Sequence, residues 1–195
     1  MEVLRLVRPS IEYKEQALEY IQEHIEANSN INGVGGLKRY LDDYEGWLLK
    51  LEEDYVRVPS NEKVPAETYF LVRESDNRII GMCNLRLSLN DNLIKLGGHI
   101  GYGIRPSERQ KGYNKINLYL ALKRYQELGL PEVILDCDKD NPASYKTMEA
   151  LGGKLIKEFY SEEEGCDCLR YKINVLEAIR DYQGIYEGEI IKRGV

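Results

Sequence analysis

The chain has 195 residues, 43% hydrophobic and 31% charged, with a formal net charge of −6. That length is enough for one domain with a substantial core. The acidic balance argues against a general nucleic-acid surface, and neither a membrane-length apolar run nor a basic-plus-apolar leader is present.

Residues 3 to 8 read as a short strand. Ser10 is placed to cap a helix with Ala17, Tyr20, Ile21 and Ile25 on one face. Asn28 to Gly36 is a turn-rich loop. Leu37, Tyr40, Leu41, Tyr44, Leu48 and Leu51, with Trp47 beside them, mark a second amphipathic stretch. Pro59 to Pro65 is a polar loop. Glu67 to Arg73 and Arg78 to Leu87 read as two strands joined by the turn residues Ser75-Asp76-Asn77, a hairpin. Leu89 to Leu96 reads as a loop or irregular edge leading into a central strand.

The stretch from Gly98 to Tyr113, which holds that strand and the loop beyond it, organises the chain. Ile100, Tyr102 and Ile104 alternate with Gly101 and Gly103, the period of a strand. The glycines leave one face nearly bare, so something can approach its backbone closely. Arg105-Pro106 ends the strand. A polar, basic stretch, Ser107 to Lys111, leads to Gly112. Beyond it Leu118, Ala121, Leu122, Tyr125 and Leu128 repeat at helical spacing. Such a junction is either an ordinary surface turn or a phosphate cradle, because a helix N-terminus carries unpaired N–H groups and the positive end of the helix dipole. Gly112 falls where backbone must lie close to a ligand or take positive φ.

Val133 to Cys137 is a short apolar strand after this helix. The crossover predicts that it runs parallel to the strand at 98–104. Pro142 to Leu151 reads as a helix ended by Gly152-Gly153. Lys154 to Tyr160 and Cys168 to Asn174 are strands around the turn Glu162-Glu163-Glu164-Gly165. Val175 to Tyr182 forms a last short helix, and the tail with Gly184, Gly188 and Gly194 has no assigned role. The order predicts a single α/β (α+β) domain, with a mixed, mostly antiparallel sheet and helices on both faces.

The four cysteines, Cys83, Cys137, Cys166 and Cys168, do not read as a disulfide framework and suit a cytoplasmic location. Cys166-x-Cys168, with only His24 and His99 to join it, makes a poor zinc set. Asp136, Asp138 and Asp140 resemble the start of a calcium loop, but Asn141 stands at the required glycine and Thr147 at the required glutamate. No metal is expected.

Arg109-Gln110-Lys111-Gly112-Tyr113-Asn114 resembles the R/Q-x-x-G-x-G/A signature of the GNAT (Gcn5-related N-acetyltransferase) superfamily. Asn141-Pro142-Ala143-Ser144 and Leu151-Gly152-Gly153 resemble further elements of that family, and the likeness spans about residues 66 to 175. Asn114 departs from the family's Gly or Ala. The resemblance implies a splayed strand pair that takes the pantetheine of acetyl-CoA, and acetyl transfer to a small amine or peptide amine. It also implies that Tyr44, Tyr40 or Trp47 faces the acceptor, against the plainer reading as core, and that the protein forms a homodimer. An acidic protein suits a cationic acceptor.

Residue roles come partly from chemistry and partly from the resemblance. Backbone N–H groups from Gln110 to Lys115, including Tyr113 and Asn114, hold the pyrophosphate, and Arg109 and Lys111 add charge. Tyr102, Gly103 and Ile104 pair with the pantetheine. Asn141 either bonds the cofactor arm or caps the helix opening at Pro142, or does both. Many family members place a tyrosine acid at the position held here by Met148, which has no proton to give. Ser144 or Tyr145 is the substitute, or the reaction needs no acid. His99 is the candidate base, its alternative being a strand histidine that merely finds a partner. The competing functional reading is a degenerate acyl-CoA-binding sensor or assembly module without turnover.

Overall fold

The computed structural model describes residues 2–192, with side chains through Glu187. Two antiparallel sheets carry the fold. β1 (Leu4–Val7), β2 (Ala66–Arg73), β3 (Arg78–Arg86) and β4 (Ile100–Ile104) lie side by side in that order. β5 (Glu132–Asp138), β6 (Lys154–Ser161) and β7 (Cys166–Asn174) form the second sheet, ordered β5-β7-β6. The hairpin turns fall where the turn residues predict. Asn77 takes φ 50° between β2 and β3, and Gly165 takes φ 68° between β6 and β7, conformations these two residue types accept at low cost.

β2 and β3 are buried on both faces, so their alternation is blurred into near-continuous apolar runs. One face meets α1 (Lys14–Glu26) and α2 (Tyr44–Tyr55), where Tyr20, Trp47, Phe70, Ile79 and Met82 close a core. The other face meets α4 (Tyr113–Glu127), whose Ile116, Leu118, Leu122 and Tyr125 enter a larger core shared with β5 and β7. Trp47 and Tyr44 are fully inside, Trp47 donating to the Gly35 carbonyl at 3.0 Å and Tyr44 to that of Ser10 at 3.0 Å. The core reading of these aromatics therefore holds. Cutting Trp47 back to alanine removes packing worth roughly 3–5 kcal/mol.

Several expectations need correction. Ser10 opens only a 3₁₀ turn, Ile11–Tyr13, and its hydroxyl bonds Glu12 instead of capping α1. The buried face of α1 is Ala17, Tyr20, Ile21 and His24, whereas Ile25 is 48% exposed. The second amphipathic stretch splits into a 3₁₀ turn, Leu37–Arg39, and α2, which starts late because Asp43 caps it through the Gly46 N–H at 2.9 Å. Residues 89–96 hold a short helix, α3 (Asp91–Lys95), capped by Asn90. The last helix, α6 (Val175–Lys192), outruns its predicted end and packs on α4 through Tyr186 against Tyr119. It passes Gly184 and Gly188, while Gly194 lies outside the described residues. β4 and β5 form no parallel ladder. They meet at one isolated bridge of antiparallel pattern, Gly98 to Leu135. No helix among the described residues is long and apolar enough to cross a membrane.

Candidate active site

The meeting point of β4 and β5 is a closed seam. The His99 N–H donates to the Ile134 carbonyl at 2.7 Å, and the Ile134 N–H donates to His99 Nδ1 at 3.0 Å. The imidazole thus replaces the backbone acceptor that a regular ladder would supply. Gly98, at φ 58°, is needed there because a Cβ would sit 2.3 Å from the Ile134 oxygen. Tyr125 donates to the His99 carbonyl at 2.9 Å and stands edge-on to its ring. Burial holds the His99 pKa below the ordinary imidazole value.

Beyond the seam the strands separate around a cleft of about 850 Å³. Ile100 to Ile104 of β4 form one wall and Asp136 to Asp138 of β5 another, with Asn141, Ser144 and Thr147 of α5 (Pro142–Glu149) beside them. Asn28, Ser29, Asn30, Asn32 and Gly33, with His24, line a third side. This loop presses on the bare face of β4. A Cβ on Gly33 would lie 2.7 Å from the Gly101 oxygen, and one on Gly103 would lie 3.1 Å from the Asn32 oxygen. Part of the close approach that β4's glycines permit is therefore made by the chain itself.

At the end of β4 the backbone opens into the loop 105–112. Gln110 and Gly112 take positive φ of 62° and 82°. The N–H groups of Gln110, Lys111, Gly112 and Asn114 have no protein acceptor among the described residues, while that of Lys115 turns back to the Gly112 carbonyl at 3.2 Å. A Cβ built on Gly112 meets nothing within 4 Å, so the loop faces open space. Unpaired donors at the N-terminus of a long helix make an anion site.

The loop's cations are committed elsewhere. Arg109 bonds the Ile104 carbonyl at 3.2 Å and the Ser29 hydroxyl at 2.5 Å, which ties the loop to the 28–33 segment. Lys111 pairs with Glu108 at 2.8 Å and does not line the cleft. Arg105 is wholly buried, with 3.0 Å to Glu23 and 2.9 Å to the Ile79 carbonyl, and fixes the strand end against α1. Burial acts to raise the Glu23 carboxyl, but hydrogen bonds from Ser107 and Arg105 outweigh it and hold the pKa below the usual range.

His24 ends the buried face of α1 and is 1% exposed. Its Nδ1 lies 2.9 Å from the Tyr20 carbonyl. A carbonyl only accepts, so Nδ1 carries the proton and Nε2 keeps its lone pair. Burial first, then the charges of Arg109 and Arg105, lower its pKa, so the ring is neutral near pH 7. His99 has the opposite tautomer, because its Nδ1 accepts.

Across the gap, Tyr102 and Ser144 join hydroxyls at 2.9 Å. Burial pushes the Tyr102 phenol up, which keeps it protonated. Asn141 accepts from the Ser144 N–H at 3.2 Å, the cap reading of that residue. Asn114 reaches Thr147 at 3.3 Å, leaving its Oδ1 buried and unpartnered in the wall.

The cleft gathers Tyr102, Gly103, Ile104, Arg109, Gln110, Gly112, Tyr113, Asn114, Lys115, Asn141 and Ser144. His99, Lys111 and Tyr145 are not lining residues. Tyr145 is half-buried against the main core, and Met148 is wholly inside it. The residue that sequence reasoning passed over is His24. Its signal was the spacing 17-20-21-24, which makes the histidine the fourth member of the buried stripe.

The sequence profile of the acetyltransferase (GNAT) domain matches residues 5–154. No curated protein matches the chain in sequence. Among solved structures, mutant forms of the spermidine/spermine N-acetyltransferase SpeG from Vibrio cholerae superpose with a TM-score of 0.63 at 18% identity, covering 91% of this chain and 97% of theirs. The Salmonella typhimurium acetyltransferase that modifies the N-terminal serine of ribosomal protein L7/L12 gives 0.63 at 15%, over 88% and 95%. The microcin C7 self-immunity acetyltransferase MccE, in complex with acetyl-CoA and AMP, gives 0.63 at 16%, over 88% and 92%. At such identities the likeness is one of fold.

Proposed function

The chain belongs to the GNAT acetyltransferase family, and from that premise we propose that it transfers the acetyl group of acetyl-CoA to a primary amine of a small molecule or peptide. The observation that carries the proposal is the gap between β4 and β5, which opens at one end onto a loop with four backbone N–H groups that have no protein acceptor among the described residues. Bound there, acetyl-CoA supplies the thioester that the amine attacks.

Gln110, Lys111, Gly112 and Asn114 hold the pyrophosphate by backbone N–H groups, with Arg109 and Lys115 nearby. Tyr102, Gly103 and Ile104 line the path of the pantetheine. The buried Asn114 Oδ1 lacks a donor, and an amide or hydroxyl of the ligand would satisfy it. His24 takes the amine proton at Nε2, directly or through water, so that a neutral nitrogen attacks. His99 has its only free lone pair engaged by Ile134, which argues against it as the base. Tyr102 and Ser144 offer protons to the departing thiolate. Glu164 and Asp138 among the lining residues suit a cationic acceptor. The Vibrio and Salmonella acetyltransferases act on a polyamine and on a protein N-terminus, which supports an amine acceptor of either kind.

Met148, fully buried where the family often carries a tyrosine acid, favours the second reading, an acyl-CoA-binding module without turnover. Titration calorimetry with acetyl-CoA, followed by thiol release against a panel of amines, separates the two. Binding with amine-dependent release is the expected result. Binding without release across polyamines, amino acids and peptides supports the module, and no binding removes both.

A further inference from the structure

Cys166 and Cys168 stand two residues apart on β7, which places both side chains on one face of the strand. In sequence this pair lacks partners. The fold supplies one from the neighbouring strand, because the β5–β7 register sets Asp138 directly opposite Cys168. The two sulfurs are 4.0 Å apart, and one ligand atom from each of the three residues lies within 4.8 Å of the others. A tetrahedral zinc ion with Zn–S about 2.3 Å and Zn–O about 2.0–2.2 Å sets its sulfurs roughly 3.8 Å apart and sulfur from oxygen roughly 3.5 Å. The cluster is therefore within an ångström or so of ligating geometry before any ion arrives.

The surroundings favour a cation. Neighbouring basic groups are engaged elsewhere: Arg170 pairs with Asp136 at 2.7 Å, and Lys139 pairs with Glu158. Among the described residues no lysine or arginine pairs with Asp138, whose carboxylate lies near the Cys166 thiol. Asp140 also lies close enough to act on that thiol. Cys168 and Asp138, with Glu164, line the cleft.

We propose that Cys166, Cys168 and Asp138 form a site for a thiophilic divalent cation of the zinc type on the wall of the cleft. Three protein ligands leave the fourth position to water or to a group entering from the cleft, as in open rather than closed zinc sites. Binding replaces the two S–H bonds by two metal–thiolate bonds and releases two protons to solvent. The expectation of no metal assumed that any further ligand had to be a histidine; Asp138 instead arrives through strand pairing.

The test is cobalt(II) titration of the full chain, reduced and freed of metal by chelator. The expected result is one equivalent bound, with a thiolate-to-cobalt charge-transfer band and tetrahedral d–d bands, both displaced by zinc. Cys166→Ser, Cys168→Ser and Asp138→Asn each weaken binding by roughly tenfold or more, while Cys137→Ala retains it. Thermal unfolding of each variant without metal shows whether lost binding reflects a lost fold. If Cys168→Ser, at the buried position, unfolds, the half-buried Cys166→Ser carries the test. A spectrum without a thiolate band overturns the proposal. So does a band that survives in the Cys166→Ser/Cys168→Ser double variant, or a Cys166–Cys168 disulfide that is the pair's only change on exposure to air and metal.

Discussion

Just before its first residue β4 is sewn to β5, and past its last it opens into a loop whose backbone faces open space at Gly112. Each end places a histidine beside a polar backbone, His99 half-buried and His24 fully buried. At the start, His99 accepts from the Ile134 N–H, and the seam's donors and acceptors are matched. At the end, His24 donates from Nδ1 to its own helix, and four N–H groups of the adjoining loop have no protein acceptor among the described residues. The loop residues Gln110, Lys111 and Gly112 are exposed, so water satisfies these donors in the free protein, and their place at the start of a long helix is where an anionic ligand would displace that water. The closed end gives rigidity and the open end gives chemistry. The same residue type serves each, distinguished only by which ring nitrogen is occupied.

The largest effect expected from breaking this contrast is at His24. His24→Ala should lower kcat by about a hundredfold below neutral pH, where the amine is an ammonium, and by less at high pH. A parallel loss at every pH would remove His24 as the base. Gly112→Asp should weaken acetyl-CoA binding by roughly thirtyfold. An L-residue at φ 82° costs about 1–2 kcal/mol, and the new carboxylate faces the pyrophosphate. Gly112→Ala isolates the strain, and unchanged calorimetric affinity in both variants would take the loop out of the site. At the closed end, His99→Ala strands the Ile134 N–H and should cost about 1–3 kcal/mol in urea unfolding. The pH profile of kcat/KM should keep its shape.

The two histidines also predict acid lability. Both are held below the ordinary value of 6.5, chiefly by burial, so the unfolded chain binds protons that the folded chain refuses. Stability should be full above pH 6.5 and fall as pH descends through it. A second loss is expected below 4.5, where Glu23, Glu67 and Glu108, all held below that value by hydrogen bonds that outweigh burial, become protonated in the unfolded chain first. A urea midpoint flat from pH 7 to 5 would contradict the burial of the histidines. The smallest effect is at Asn141. Asn141→Ala removes the α5 cap and should cost about 1 kcal/mol, with little change in acetyl-CoA affinity unless the side chain also bonds the ligand.

Most of this architecture was legible in the chain. Strand alternation gave β4, turn residues gave both hairpins, and Gly112 together with the long amphipathic run gave the junction into α4. The errors share a physical cause. Local rules favoured Ser10 as a cap, yet its hydroxyl found Glu12 and the helix began at Lys14. Apolarity favoured Ile25 on the buried face, whereas the spacing of Ala17, Tyr20 and Ile21 selects His24. The seam could not be read because its acceptor is a side chain, not a backbone carbonyl. Asp138 beside the cysteine pair depends on the register of strands about thirty residues apart, which no local pattern encodes.

The separation of the two sheets also bears on how the chain could be divided. All strands of the first sheet precede the exposed Gly129, and all strands of the second come after it. Each sheet is thus encoded on one side of that point and completes its ladders without the other. Crossing it are the packing of α4 on α5 and α6, the seam at His99 and Ile134, and side-chain bonds that include Tyr102 to Ser144, Asn114 to Thr147 and Arg170 to the Ile94 and Lys95 carbonyls. A backbone cut at Gly129 should therefore give two fragments that form their own strand pairings and reassemble on mixing. Because the cleft has walls from both fragments, acetyl-CoA binding would return only with reassembly, making ligand affinity a reporter of fragment association.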